Sequence, residues 1–316
     1  MALNVAALAG GVGGAKLAHG LAAVLPPENL TIIVNTADDF DHLGLHICPD
    51  LDTVVYTLAG VANHKSGWGR DRETWNFLGA IGELGGPTWF RLGDRDLALH
   101  IWRSQSLRWG IPLSAVTVDV CRALGVRPTV LPMTDDDVRT MVQTDEGEIA
   151  FQEYFVRRAF QPAVRGFRFF GADAAQPGPG VLPAIEAADL VVVCPSNPWV
   201  SIDPILSIPG VRDSVASRMT VAVSPLVGGK AVKGPAAKMA AELGIEPTPM
   251  SIAAHYDGVI RGLVYDDADA DCGGILAAQG VRSIRTDTLM RSDGGRRRLA
   301  EKVLAFGASL LAERPA

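Results

Sequence analysis

Four glycines within five positions, Gly10, Gly11, Gly13 and Gly14, follow a short apolar run and precede Lys16. Glycine lets backbone N–H groups approach a ligand closely. A strand-to-helix turn adds the positive end of a helix dipole. With the Lys16 charge behind it, the turn is expected to cradle a phosphate, a tight turn without ligand being the plainer alternative. It is not a Walker A loop: Ala15 and Leu17 flank the lysine where Gly and Ser or Thr belong, so the turn offers no hydroxyl to Mg²⁺. The dinucleotide pattern G-x-G-x-x-G fails as well, because Lys16 stands where its third small residue belongs.

Carboxylates are the second chemical resource. Residues 38–52 hold five aspartates (Asp38, Asp39, Asp41, Asp50, Asp52) and two histidines, with no Lys or Arg. Such hard oxygen ligands suit Mg²⁺, which takes one or two carboxylates plus phosphate oxygens. Helix capping is the structural alternative for each of them. His42 and His46 have helical metal-ligand spacing but lack a convincing third partner for zinc.

Further along, residues 63–77, with Trp68-Gly69-Arg70-Asp71-Arg72-Glu73-Thr74-Trp75 at their centre, mix rings and charges that can stack on a planar ligand or simply begin a helix. Arg91 and Arg95, in Trp89-Phe90-Arg91-Leu92-Gly93-Asp94-Arg95-Asp96, are candidate phosphate or ring-oxygen ligands in a charged loop, or else a surface ion cluster. Ser196 and Asn197 lie between two prolines after an apolar strand, and a second Gly/Lys loop spans Ser224 to Pro235.

The elements that must position these residues read as an α/β chain. Strands are expected at 3–9, 30–36, 190–194 and 219–223, the β-branched ones as buried parallel strands. A helix follows the glycine turn and stops at Pro26-Pro27, helical patterning within about 97–140 ends at Gly125 with residues 130–133 and a polar segment after it, and an amphipathic helix lies near 293–312. Alternation over 141–170 predicts antiparallel strands, and 248–251 with 259–266 a short strand pair. The expected architecture is Rossmann-like: a three-layer, doubly wound, mainly parallel sheet forming one α/β domain over 1–316, with a smaller β-rich insertion at 125–175. Carboxylates at the end of the second strand then fall on the ligand side of the sheet.

Composition narrows the partners. The 316 residues are 48% hydrophobic with a formal net charge of -6, so the chain can build a large core and lacks the basic footprint of a nucleic-acid binder. The four cysteines form no C-x-x-C pair, which argues against disulfide staples and suits a reducing cytoplasm. The glycine-broken N-terminal run does not read as a signal peptide, and no apolar run approaches the roughly 20 residues of a membrane span.

Taken in order, Ala9 to Lys16, Pro49-Asp50-Leu51-Asp52-Thr53, Leu92-Gly93-Asp94-Arg95-Asp96, Pro195-Ser196-Asn197-Pro198, Ser224-Pro225 and Asp287-Thr288-Leu289-Met290 resemble the 2-phospho-L-lactate transferase family of deazaflavin coenzyme biosynthesis. The resemblance implies transfer of a phospholactyl, phosphoenolpyruvyl or phosphoglyceryl group from a GDP-activated donor to the ribityl hydroxyl of 7,8-didemethyl-8-hydroxy-5-deazariboflavin, with release of GMP. It implies Mg²⁺ held by Asp39, Asp50 and Asp52, and acceptor contacts from Asp52 and Arg91. Asp50, Asp52 and Arg95 are the expected catalytic residues. The glycine turn with Lys16, Asn35, Ser196 and Asn197 is expected on the donor, and a homodimer is expected as the assembly. A nucleotide-binding regulator of the same fold and, further off, an NAD-type oxidoreductase are the competing readings.

Overall fold

The structure is a computed structural model that describes residues 3–63, 68–232 and 234–313. Residues 64–67 of the aromatic and charged stretch, and Lys233 of the second Gly/Lys loop, lie outside the described residues.

Seven parallel strands make the central sheet: β1 (Val5–Ala9), β2 (Leu30–Val34), β3 (Thr129–Pro132), β4 (Leu190–Val193), β5 (Met219–Val223), β6 (Gly262–Tyr265) and β7 (Arg282–Arg285). Their spatial order is β3-β2-β1-β4-β5-β6-β7. Successive strand residues face opposite sides: Val5, Ala7 and Ala9 enter one apolar core, Ala6 and Leu8 the other. Both faces are covered by helices, which is why these strands read as unbroken apolar runs.

The first core packs under α1 (Gly11–Ala22), α2 (Pro49–Leu58), α4 (Leu113–Ala123) and α5 (Asp293–Ala312), with α3 (Asp94–Arg108) alongside α4 and the hairpin 40–47. Helix α1 lies so close to α5 that a Cβ at Gly20 would meet the Arg296 carbonyl oxygen at 2.3 Å. Arg296 is therefore buried beside that contact, although the run Arg296-Arg297-Arg298 reads in sequence as a solvated face; only Arg297 and Arg298 face solvent.

Three sequence expectations shift. Thr129–Pro132 belongs to the main sheet, so the antiparallel insertion begins later, as strands Arg139–Thr144, Gly147–Ala150 and Val164–Phe170. Thr248–Ser251 is not a strand: Thr248 and Ser251 form a capping box that starts the helix Pro249–His255. The Gly-Asp-Arg-Asp stretch is the first turn of α3, not a loop, because its aspartates favour a helix N-terminus.

Candidate functional site

The strand order reverses between β1 and β4, and ligands of doubly wound sheets bind in the crevice outside such a switch point. There the glycine turn meets the ends of β2 and β4. The Gly11 N–H donates to Asp50 Oδ1 at 2.7 Å, and Asn35 Nδ2 donates to Asp50 Oδ2 at 3.0 Å. From the β4 side, Ser196 Oγ accepts from the Gly10 N–H at 3.1 Å and donates to the Gly10 carbonyl at 2.8 Å. Five of the expected site residues thus form one hydrogen-bonded knot.

The glycines divide by role. Gly11 has φ +59°, the left-handed region that L side chains avoid. Gly13 and Gly14 are needed for packing instead: a Cβ there would meet the Pro195 carbonyl oxygen at 2.1 Å and Ser196 Oγ at 2.5 Å. Their small size brings α1 against the β4 loop. Asn197 is also used locally, its Oδ1 accepting from the Trp199 N–H at 3.1 Å and its Nδ2 meeting Met239 Sδ at 3.3 Å. Lys16 is half-buried on α1.

Asp39, Asp50 and Asp52 do not converge on one point. Pro49 opens α2 and puts both Asp50 and Asp52 in its first turn. Two residues apart on a helix, they leave about 200° apart. Asp52 turns to α3, where Arg103 grips both of its oxygens, Nη1 at 3.0 Å from Oδ2 and Nη2 against Oδ1. Burial opposes the guanidinium charge, but the Asp52 carboxylate outweighs it and holds Arg103 protonated. His100 and Asp96 extend this buried network, and the Tyr56 hydroxyl donates to Asp96 Oδ1 at 2.7 Å. Asp52 therefore ties α2 to α3. Arg91 is exposed and stacks over Trp75, its Cζ 4.4 Å from the ring centroid. Arg95 is exposed on the first turn of α3, its backbone N–H bonded to Glu73.

Beside the knot, a cavity of about 340 Å³ separates residues 37–41 from the antiparallel insertion. Asp38, Asp39, Arg139, Thr140, Phe151 and Gln152 are among its walls. Asp38 and Asp39 are 4% and 5% exposed, yet the Oδ1 of each has no hydrogen-bond partner. Burial first, then the Asp50 charge, pushes the Asp38 carboxyl well up. Burial also raises Asp50 to about 6, although Asn35 and the Gly11 N–H oppose the shift. Asp39 is raised by burial and partly held back by His46. Unpartnered buried oxygens are costly unless a ligand completes them. Two or three hard carboxylates, one of them bonded to the glycine turn, fit Mg²⁺ on that ground.

On the outer side of residues 37–41, Phe40 meets Phe90 at 4.8 Å and Trp89 at 6.0 Å between ring centroids. His42 joins this aromatic group, 5.1 Å from Trp89 and away from His46, so the two histidines do not act as a pair. Sequence reasoning weighed Asp38 among the five aspartates without choosing it for the site, and passed over Thr140, Gln152 and Arg103. The Asp38-Asp39 doublet directly after β2 was a usable signal for the first; the others come from distant segments and left none.

This arrangement defines a doubly wound α/β enzyme whose glycine turn and acidic cavity sit together at the switch point. The model of the 2-phospho-L-lactate transferase CofD family matches residues 5–299, and the chain belongs to that transferase family. A phosphoenolpyruvate transferase of Thermobifida fusca is 44% identical over 296 residues, 89% of this chain and 91% of the relative. A 2-phospho-L-lactate transferase of Methanosarcina mazei is 39% identical over 295 residues, covering 93% and 97%. A solved UPF0052 family member from Bacillus halodurans superposes with TM-score 0.65 at 16% identity over 96% of this chain and 99% of that one, which shows a shared fold.

Proposed function

We propose that the chain transfers a three-carbon phospho-acid unit from a GDP-activated donor to the ribityl hydroxyl of 7,8-didemethyl-8-hydroxy-5-deazariboflavin. The acceptor oxygen forms a bond to the phosphorus nearest the three-carbon unit, the bond from that phosphorus to the GMP oxygen breaks, and the hydroxyl proton passes to a base. The observation that carries this reading is the group of buried carboxylates, Asp38 and Asp39 on the wall of the acidic cavity, each with an unpartnered oxygen, and Asp50, which acts on Asp38 and is bonded to the glycine turn.

Phosphoryl transfer depends on positioning and charge neutralisation more than on covalent chemistry. The α1 N-terminus and Lys16 favour the donor phosphates, with Ser196 holding the turn in shape. Asp38, raised by burial and lining the cavity, is suited to take the acceptor's proton. Asp39 and Asp50 would hold Mg²⁺, which when bound would offset phosphate charge; Asp52 is committed to Arg103. The Phe40–Trp89–Phe90 group offers a shelf for a planar ring whose chain enters the cavity.

Incubation with the deazaflavin, Mg²⁺ and each of the phospholactyl, phosphoenolpyruvyl and phosphoglyceryl donors tests the reading. Mass spectrometry should show GMP and one phosphodiester formed in clear preference. GMP release without a deazaflavin adduct, or no reaction with any donor, would refute it.

A further inference from the structure

A second polar cluster lies behind the acidic cavity, in the hairpin formed by strands Phe40–His42 and Leu45–Ile47. One carboxylate oxygen of Asp39, one ring nitrogen of His46 and the sulfur of Cys48 all lie within 4.8 Å of one another. The three come from ten consecutive residues: Asp39 enters the hairpin, His46 is on its return strand and Cys48 is the N-cap of α2. They form a mixed O, N, S set, the donor chemistry of zinc and not of Mg²⁺.

Three further observations point to a cation. Asp39 is 5% exposed, and its Oδ1 has no hydrogen-bond partner. His46 turns Nε2 to Asp39 Oδ2 at 3.4 Å and Nδ1 to Asp41 Oδ1 at 3.3 Å. That is the carboxylate–histidine–metal arrangement in which an outer carboxylate fixes the ring tautomer. Asp41 and His46 are cross-strand partners, and the His46 backbone N–H donates to Ser104 Oγ at 2.7 Å, so the strand that carries the ring is anchored to α3. The neighbouring Arg103 is neutralised by Asp52. His46 and Asp41 reach solvent, which provides an entry path.

We propose that Asp39, His46 and Cys48 form a binding site for one thiophilic divalent cation, Zn²⁺ in the first instance, with Asp41 orienting His46. Binding forms a metal–sulfur bond as the Cys48 proton leaves to solvent, and water completes the tetrahedron. Zinc bonds of about 2.0–2.3 Å set ligand-to-ligand edges of roughly 3.3–3.8 Å, so no edge of the cluster, all within 4.8 Å, has to close by more than about 1.5 Å. The site shares Asp39, and no other ligand, with the carboxylates proposed for Mg²⁺. Its occupation would engage Asp39 and so withdraw a carboxylate from the acidic cavity.

The test is metal binding by the full chain. Zn²⁺ titration should load one ion per chain in the presence of excess Mg²⁺, with release of a proton. Co²⁺ should give a thiolate-to-metal charge-transfer absorption. Cys48→Ser should abolish that absorption, and Cys121→Ser, a buried thiol elsewhere, should keep it. Because Cys48 is buried and its replacement risks the fold, Asp41→Asn provides a second variant on an exposed residue; it should weaken zinc binding about 10- to 100-fold. Absence of stoichiometric zinc, or zinc and cobalt signals unchanged in folded Cys48→Ser and Asp41→Asn, would overturn the site.

Discussion

Asp38 and Asp50 pay in stability for what they offer in chemistry. Asp50 moves from 3.8 to about 6 on folding, chiefly through burial. Between those values the folded chain binds more protons than the unfolded one, so stability falls as pH rises through the window. The full penalty, on the order of 3 kcal/mol, is reached above pH 6. Asp38 shifts in the same direction. Asp38→Asn should therefore raise the melting temperature at pH 8, show little gain near pH 4, and lower transfer by about 10²-fold or more. Calorimetry at the two pH values checks the first part; an equal loss of stability at both would mark Asp38 as a packing residue. Asp52 follows the opposite logic. Removing it leaves Arg103 buried and charged, so Asp52→Ala should cost about 3–5 kcal/mol in denaturant unfolding.

At the scale of elements, the glycine turn is tuned as much for packing as for ligand. Gly13→Ala should disrupt the α1 contact with the β4 loop, because its Cβ would meet the Pro195 carbonyl oxygen at 2.1 Å. A melting temperature unchanged by Gly13→Ala would show that the contact is not required. The aromatic shelf makes a separate prediction: Trp89→Ala should raise the deazaflavin KM roughly tenfold while leaving kcat near the parent value. A matched fall in kcat would place the ring in the chemistry instead. Much of this scale was legible in sequence. Glycine spacing after β1, Asn35 after β2 and Pro-Ser-Asn-Pro after β4 marked the correct strand ends, since chain order alone puts them at one edge of a parallel sheet. What stayed hidden was direction: Asp50 and Asp52 look equivalent in a line of letters, and only helical rotation separates them.

For the whole molecule, the parallel order and two-faced core followed from apolar runs alternating with helical patterns. The insertion was visible by its alternation, yet its place over residues 37–41 was not, because antiparallel pairing carries no record of what the sheet covers. That placement turns a strand end into a cavity, and it brings Thr140 and Gln152 to the aspartates from 100 residues away in sequence. An exposed apolar group on α3 and just beyond it, Ile101, Trp102 and Trp109, is the surface we propose for the homodimer that the family resemblance leads one to expect. Trp102→Ser should shift the mass measured by light scattering from two chains to one, and a parent protein that already runs as one chain would refute that assignment.

The central claim is that transfer occurs at the Asp38–Asp39–Asp50 side of α2 and not at the Asp52 side. It is tested most directly by steady-state turnover of Asp50→Asn and Asp52→Asn, measured at a temperature where both remain folded. The account predicts a loss on the order of 10²-fold for Asp50→Asn and turnover within a few-fold of the parent for Asp52→Asn. The reverse order would contradict it.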